Sequence, residues 1–220
     1  NNKTHFSLQR GFSKPDKLIS KCKEFGYNSC AITDINTISG AVAFFKECKK
    51  QGVKPIIGCT FEFENGKSKT LLAKNKDGWY SLIDLVSKKN SYSDDVVYKL
   101  IDSISDENLI STDSIKQKPV YYVEPCEAEL HRILLCSGLK TNMSKVANKL
   151  FFNSDNFYLP SPERVRELYT AEEISWSADI AAECDEYEIL GQPMLPEFDC
   201  PDDYTEDDYL KQLCRDGWRT

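Results

Sequence analysis

An α/β fold built from strand–helix–strand units is predicted by three features of this 220-residue sequence. Short apolar runs that suit buried strands alternate with stretches whose apolar residues recur every three or four positions, as in amphipathic helices. Glycines and prolines separate the two kinds of segment. This alternation is typical of parallel strands in either an open sheet or a barrel, and the pattern alone leaves both architectures open.

The first ninety residues carry the clearest pattern. Ser13 is the expected N-cap of the first helix, Pro15 lies in its first turn, and Gly26 ends it. In chain order we predict a helix over 15–25, a strand over 29–33, a helix over 40–50, strands over 53–58 and 70–73, and a helix from 77 onward. The inner face of the helix over 40–50 is expected to hold Val42, Phe44, Phe45 and Cys48.

The pattern is weaker in the rest of the chain. Residues 88–118 are more polar and show no clear period. We predict a strand over 119–123, then helices over 127–136, 162–168 and 174–184, with Ser161 as the N-cap of the helix over 162–168. Beyond Gly191 prolines and acidic residues indicate a connector. It ends in a helical stretch over 204–214 with an apolar stripe of Leu210, Leu213 and Trp218.

Composition limits the classes of function. The net charge of -7 argues against a chain whose main task is to grip a nucleic-acid backbone, since that usually needs a basic surface. No apolar run is long enough to span a bilayer, so we expect a cytoplasmic protein without a membrane partner. The nine cysteines have no Cys-x-x-Cys spacing and are expected to be reduced and structural. Only His5 and His131 are available as histidine ligands or bases.

Ordered motifs along the chain resemble the N-terminal PHP domain of the bacterial DNA polymerase III alpha subunit, the C-family replicative polymerase. The first matching segments are His-Phe-Ser-Leu at 5–8, Ala-Ile-Thr-Asp at 31–34 and Gly-Val-Lys-Pro-Ile-Ile-Gly-Cys at 52–59. They continue with Leu-Leu-Ala-Lys-Asn at 71–75, Glu-Ala-Glu-Leu-His-Arg-Ile-Leu at 127–134 and Ile-Ala-Ala-Glu-Cys at 180–184. The segments keep the family's order over nearly the whole chain, which makes the resemblance specific although no single motif carries it.

The resemblance implies a domain organisation. Residues 1–190 would form a PHP-type distorted (β/α) barrel, and 191–220 a connector and first helix toward the core of a longer polymerase. Between Ile110 and Val120 the family carries further strand–helix units that are largely absent here. The run at 121–124 could align with either of two family strands. We therefore expect a trimmed or incomplete barrel followed by an α-helical connector.

The resemblance also locates a site. Active PHP domains resemble metal-dependent phosphoesterases, with two or three ions held by histidines and carboxylates at the C-terminal ends of strands, and closely spaced ions need such ligands at high density. The corresponding positions here are Asn1, Lys3, Arg10, Asp34, Ile35, Thr60 and Tyr121, with Pro119 beside the last if it belongs to the late Asp-x-His strand. Asp34 alone keeps its chemical type. The resemblance therefore implies no catalytic residue, metal or other cofactor in this chain.

Two of the replacements, Lys3 and Arg10, are cations. They could face Asp34 and balance its charge without a metal, or they could form the remnant of a phosphate-binding site. We favour charge balance, because a buried charge usually needs a partner.

The leading hypothesis is a non-catalytic PHP domain that acts as a scaffold and interaction module in DNA replication. The implied partners are the remainder of the polymerase chain, a proofreading exonuclease subunit and, through the parent protein, DNA. Nucleotidyl transfer and its Mg²⁺ would belong to the palm domain of the parent DNA-directed DNA polymerase. The alternatives are a metal-dependent phosphoesterase or 3′–5′ exonuclease that uses Asp34 in a residual site, and a stand-alone interaction protein with the PHP fold.

Overall fold

The computed structural model describes residues 1–104, 106–113, 117–146, 154–192, 198–201 and 203–218. It contains two compact units, Asn1–Ile189 and Leu190–Thr220. The helices and strands are α1 Pro15–Glu24, β1 Ser29–Ile35, α2 Ala41–Gln51, β2 Lys54–Glu62, β3 Ser68–Ala73, α3 Lys76–Ser91, α4 Asp94–Asp102, β4 Leu109–Ser111, α5 Ala128–Gly138, α6 Met143–Val146, α7 Pro162–Leu168, α8 Ala171–Glu183 and α9 Glu206–Trp218.

The first unit is organised around a mixed sheet of four strands in the order β1-β2-β3-β4. Strands β1 and β2 are parallel, with α2 as their crossover, which confirms the first predicted strand–helix–strand unit. Strands β3 and β4 are each antiparallel to the strand before them, so the parallel arrangement indicated by the helix–strand alternation does not extend beyond β2. The reason is the short turn over 63–67, which includes Gly66 at φ 78° and is too short for a parallel crossover.

The other edge of the sheet continues through single bridges. Asn2 lies between Ile32 of β1 and Val120, parallel to both, and Tyr122 pairs with Tyr158. The prediction of a regular strand over 119–123 was therefore wrong, because this segment makes only single bridges. Pro119 has no N–H to donate, and the next N–H groups bond to Asn1 and Phe157 rather than to one partner strand. In the described part of the chain the sheet does not close into a barrel.

The start of α1 differs from the predicted start. Its N-cap is Lys14, because Ser13 is held in an extended bridge to Thr4 and bonds to Tyr121 through its backbone. In α7, by contrast, the predicted cap is confirmed. The Ser161 hydroxyl accepts a hydrogen bond from the backbone N–H of Arg164 at 3.3 Å.

The buried face of α2 is formed by Ala41, Phe44, Phe45 and Cys48. These residues follow the i, i+3, i+4, i+7 spacing of one helix face. The prediction that Val42 belongs to this face was wrong, since Val42 lies off the stripe and is 40% exposed.

The segment over 88–118 is more regular than its polarity suggested. It contains most of the last turn of α3 and all of α4 and β4. Helix α4 buries Val97 and Ile101, four residues apart on one face. Val96, Val97, Leu100 and Ile101 recur at helical spacing, so the sequence carried a local signal for this helix.

The core forms where α1, α2 and α3 pack on the sheet, around side chains such as Leu18, Phe44, Ile57, Phe61 and Leu82. All nine cysteines are free, and six of them are buried. No helix in the described ranges combines the length and apolarity that a membrane span requires.

The second unit contains α9, whose first turn is acidic. Leu210, Leu213 and Trp218 of this helix are exposed in the predicted stripe. Within the predicted segment 191–220, residues 193–197, 202 and 219–220 lie outside the described residues. The role of 191–220 as a link to a polymerase core stays a prediction.

Candidate functional site

The candidate site lies where β1 and β2 end side by side. Their parallel register places Asp34 opposite Cys59 and Ile35 opposite Thr60. The bridge from Asn2 to β1 brings the N-terminal segment alongside, so that Lys3 follows directly. Five of the predicted site positions are thereby gathered within one end of the sheet: Asn1, Lys3, Asp34, Ile35 and Thr60.

Asp34 is buried, with 1% of its surface exposed. Its Oδ1 accepts hydrogen bonds from the backbone N–H of Thr4 and from the Ser7 hydroxyl, both at 2.6 Å. Its Oδ2 accepts from the Thr4 hydroxyl, also at 2.6 Å. The carboxylate therefore ties the loop after the N-terminal segment to the end of β1.

The start of α2 approaches the same carboxylate. A Cβ atom on Gly40 would lie 2.9 Å from Asp34 Oδ2 and 2.8 Å from the ring of Phe6. Glycine at this position is what allows the close approach. Because the N-terminal end of a helix carries partial positive charge, α2 stabilises the negative charge of Asp34 from this side.

Lys3 is buried with 2% exposed surface, and its ammonium points between the two strands. It donates to the carbonyl oxygen of Thr33 and to the hydroxyl of Thr60, with the Thr33 hydroxyl at 3.3 Å as a third acceptor. Burial lowers the pKa of Lys3 to about 8, while the negative charge of Asp34 acts in the opposite direction. The charge of Asp34 thus acts on Lys3 as charge balance requires, while the hydrogen bonds of the ammonium go to Thr33 and Thr60.

Arg10 has a different partner from the expected one. Its Nη2 and Nη1 atoms lie 3.2 and 3.3 Å from the two carboxylate oxygens of Glu62, the last residue of β2. The expected pairing with Asp34 was wrong, because the turn from Ser7 to Arg10 carries the guanidinium to the rim of the sheet. Burial raises the pKa of Tyr121, and the positive charge and a hydrogen bond of Arg10 partly offset that rise.

The last two predicted positions contribute packing. Ile35 is half-buried against the cluster that contains Tyr121 and Tyr122, and its N–H donates to the Ser7 hydroxyl at 3.0 Å. Tyr121 stacks on His131 with ring centroids 5.2 Å apart. Neither residue presents a metal-binding group of the kind that the family pattern would require.

His131 joins this arrangement from α5. Its Nε2 lies 2.8 Å from the carbonyl oxygen of Arg10 and must donate, since a carbonyl can only accept. The residue is 1% exposed, and burial lowers its pKa. The predicted site positions did not include His131, Thr4, Ser7 or Glu62. The one available signal was the His-Phe-Ser-Leu motif at 5–8, which contains Ser7.

The side chains at the site do not fit a cluster of divalent ions. Among the residues that the structure describes, no group of three or more His, Cys, Asp or Glu side chains could hold a metal ion. Both carboxylate oxygens of Asp34 already accept hydrogen bonds, from Thr4 and Ser7. The Lys3 ammonium stands beside it and would repel a second cation.

We expect His131→Phe to destabilise the protein by about 1–2 kcal/mol at pH 7, because the Arg10 carbonyl loses its buried donor. The folded-state pKa of His131 is lowered. When the pH is below the ordinary histidine pKa of about 6.5, the unfolded chain therefore binds a proton that the folded chain does not bind. Wild-type stability should therefore fall as the pH drops through this range, and the variant should lack that part of the loss. Urea unfolding from pH 7.5 to 5 measures both effects. His5→Asn, at an exposed position, is the matched control.

The comparisons with known proteins match most of the chain. The PHP domain family matches residues 1–160. DNA polymerase III subunit alpha of Bacillus subtilis is 23% identical over 285 aligned residues, covering 98% of this chain and 25% of that protein. The Treponema pallidum subunit is 24% identical, covering 97% and 25%. The subunit of Buchnera aphidicola subsp. Schizaphis graminum is 42% identical over 89 residues, covering 38% of this chain and 8% of that protein. The chain spans about a quarter or less of the length of these relatives.

Proposed function

Because this chain belongs to the PHP domain family, we propose that it is a non-catalytic scaffold domain of a DNA polymerase III alpha-like protein. Its homology to the N-terminal region of such subunits extends along nearly the whole chain. The polymerase reaction and its Mg²⁺ would belong to other parts of the parent protein. The remainder of that protein, a proofreading exonuclease and DNA are the partners that the proposal implies.

The observation that carries the proposal is that both oxygens of Asp34 are already used within the protein. Three short hydrogen bonds from Thr4 and Ser7 take three of the roughly four lone-pair sites of this carboxylate. A metal ion bound through both oxygens would compete with these buried donors, at a cost of about 1–3 kcal/mol for each group left unsatisfied. The ammonium of Lys3 adds electrostatic repulsion.

The same contacts support a scaffold role in a positive sense. Asp34 ties the loop over 4–7 to β1, the Arg10–Glu62 pair ties the end of that loop to β2, and His131 ties the Arg10 carbonyl to α5. Together they connect the N-terminal segment, two strands and a helix without any metal. A domain of this kind keeps its shape through protein contacts alone, as a packing platform for a larger chain requires.

Metal analysis tests the proposal directly. We expect the purified protein to contain substoichiometric zinc, manganese and magnesium, and its melting temperature to be unchanged by a chelator. We also expect no release of nucleotides from a 3′-labelled primer when Mg²⁺, Mn²⁺ or Zn²⁺ is added. These results follow if the hydrogen bonds of Asp34 and Lys3 occupy the site.

Asp34→Asn provides the matched control for that experiment. Stoichiometric metal together with chelator-sensitive turnover that this variant abolishes would overturn the scaffold proposal and support a residual phosphoesterase. Turnover that survives the substitution would be a contaminating nuclease, and the metal content would then decide the question alone.

A further inference from the structure

A narrow crevice opens where the segment over 118–120 meets the segment that leads into α7. Its volume is about 20 Å³, and Lys118, Asn156, Tyr158, Arg164 and Tyr169 stand among its walls. That volume exceeds the 10–15 Å³ or so that one water molecule needs. It can admit one or two oxygen atoms of a ligand whose remaining part stays at the mouth.

The charge of the crevice is not balanced. Burial lowers the pKa of Lys118, and the positive charge of Arg164 lowers it further. No carboxylate in the described ranges forms an ion pair with Lys118, whose ammonium lies 5.8 Å from the centroid of the Phe157 ring. Arg164 pairs with Glu167 at 2.6 Å, but the side chain of Glu167 is 64% exposed. One positive charge is thus left without a counterion in a chain whose net charge is -7.

Backbone contacts hold the walls in place. The N–H of Lys118 donates to the Tyr169 hydroxyl at 2.9 Å, and the Tyr27 hydroxyl donates to the Pro160 carbonyl at 3.0 Å. The backbone N–H of Arg164 is used in the cap of α7. None of these contacts uses the ammonium of Lys118, so its charge can be removed without breaking them. The side chain of Arg164 also hydrogen-bonds to Tyr158, another wall residue.

We propose that this crevice binds one phosphoryl group through Lys118 and Arg164. The guanidinium fork of arginine and the point charge of lysine are the common protein donors to phosphate. Glu167 already supplies one negative charge to Arg164, so one further negative charge, such as that of a phosphoryl oxygen, balances the two cations. The Tyr169 hydroxyl accepts a hydrogen bond from the backbone N–H of Lys118. Its own proton is available as a third donor to the ligand. This inference goes beyond the scaffold function and does not depend on it.

Inorganic phosphate is the first probe. Isothermal titration calorimetry, in which phosphate is added to the intact protein at constant ionic strength, should show saturable binding. Lys118→Gln and Arg164→Gln should each weaken it on the order of tenfold, the usual effect of losing one charged hydrogen bond. Lys118→Arg should restore most of the affinity, and Lys46→Gln, at an exposed lysine away from the crevice, should leave it unchanged. Circular dichroism checks that each variant is folded.

Competition with a short oligonucleotide distinguishes two sources of the phosphoryl group. If the site takes a phosphate monoester, the 5′-phosphorylated strand should displace phosphate and the unphosphorylated strand should not. If it takes a backbone phosphodiester, both strands should displace phosphate, and Lys118→Gln should reduce the salt dependence of their binding. The inference is overturned if phosphate does not bind, or if it binds equally to the wild type and to both glutamine variants.

Discussion

Replacement of Asp34 by alanine should destabilise the protein by about 3–4 kcal/mol, because three short hydrogen bonds lose their acceptor in a buried site. The Thr4 N–H, the Thr4 hydroxyl and the Ser7 hydroxyl all point at this carboxylate. Without it, the loop over 4–7 loses its three hydrogen bonds to Asp34 and keeps the one from the Ile35 N–H to the Ser7 hydroxyl. The measurement is the midpoint of urea unfolding, with an unchanged slope showing that the unfolded state is the same.

Two further variants make the test specific to the hydrogen bonds. Asp34→Asn keeps the shape and one acceptor oxygen, so its cost should be smaller than that of alanine. Asp179→Ala removes a carboxylate from an exposed position of α8 and should change stability by no more than about 0.5 kcal/mol. A cost below about 1 kcal/mol for Asp34→Ala would contradict the structural role given to this residue.

Much of the first half of the fold could be predicted, because its signals are local. Apolar runs bounded by Gly26 and Gly52 mark β1, α2 and β2. The antiparallel β3 had a local signal too, since Asn65-Gly66 is a common hairpin dipeptide and was not used. The single bridges of Asn2, Val120 and Tyr122 had none, because they join residues far apart in sequence.

The candidate site was predicted in position but not in its contacts. The resemblance to the family placed Lys3, Asp34 and Thr60 at one end of the sheet, and the register of β1 and β2 agrees with that placement. The partner of Arg10 depends on the path of its loop, in which Gln9 adopts a left-handed φ of 59°. The sequence shows no sign of that conformation, and Glu62 lies 52 positions away.

The second large effect concerns Lys3 and alkaline pH. Its pKa is about 8 in the folded state, compared with 10.5 for an exposed lysine. Between these values the unfolded chain binds a proton that the folded chain has released, so the wild-type free energy of unfolding rises with pH. At 1.36 kcal/mol for each unit of pKa, the rise should be about 3 kcal/mol relative to Lys3→Met, which has a similar volume and no charge.

The difference between the two proteins is the quantity to measure, because tyrosines and cysteines titrate over the same range in both. Unfolding should be measured for the wild type and Lys3→Met at pH 7, 8, 9 and 10.5. Above pH 8 the free energy of unfolding of the variant should fall progressively further below that of the wild type. Lys46→Met, at an exposed position, should run parallel to the wild type. A parallel course for Lys3→Met would mean that the folded protein leaves the ammonium in water. The bonds of Lys3 to Thr33 and Thr60 could then no longer support the proposal of a metal-free scaffold.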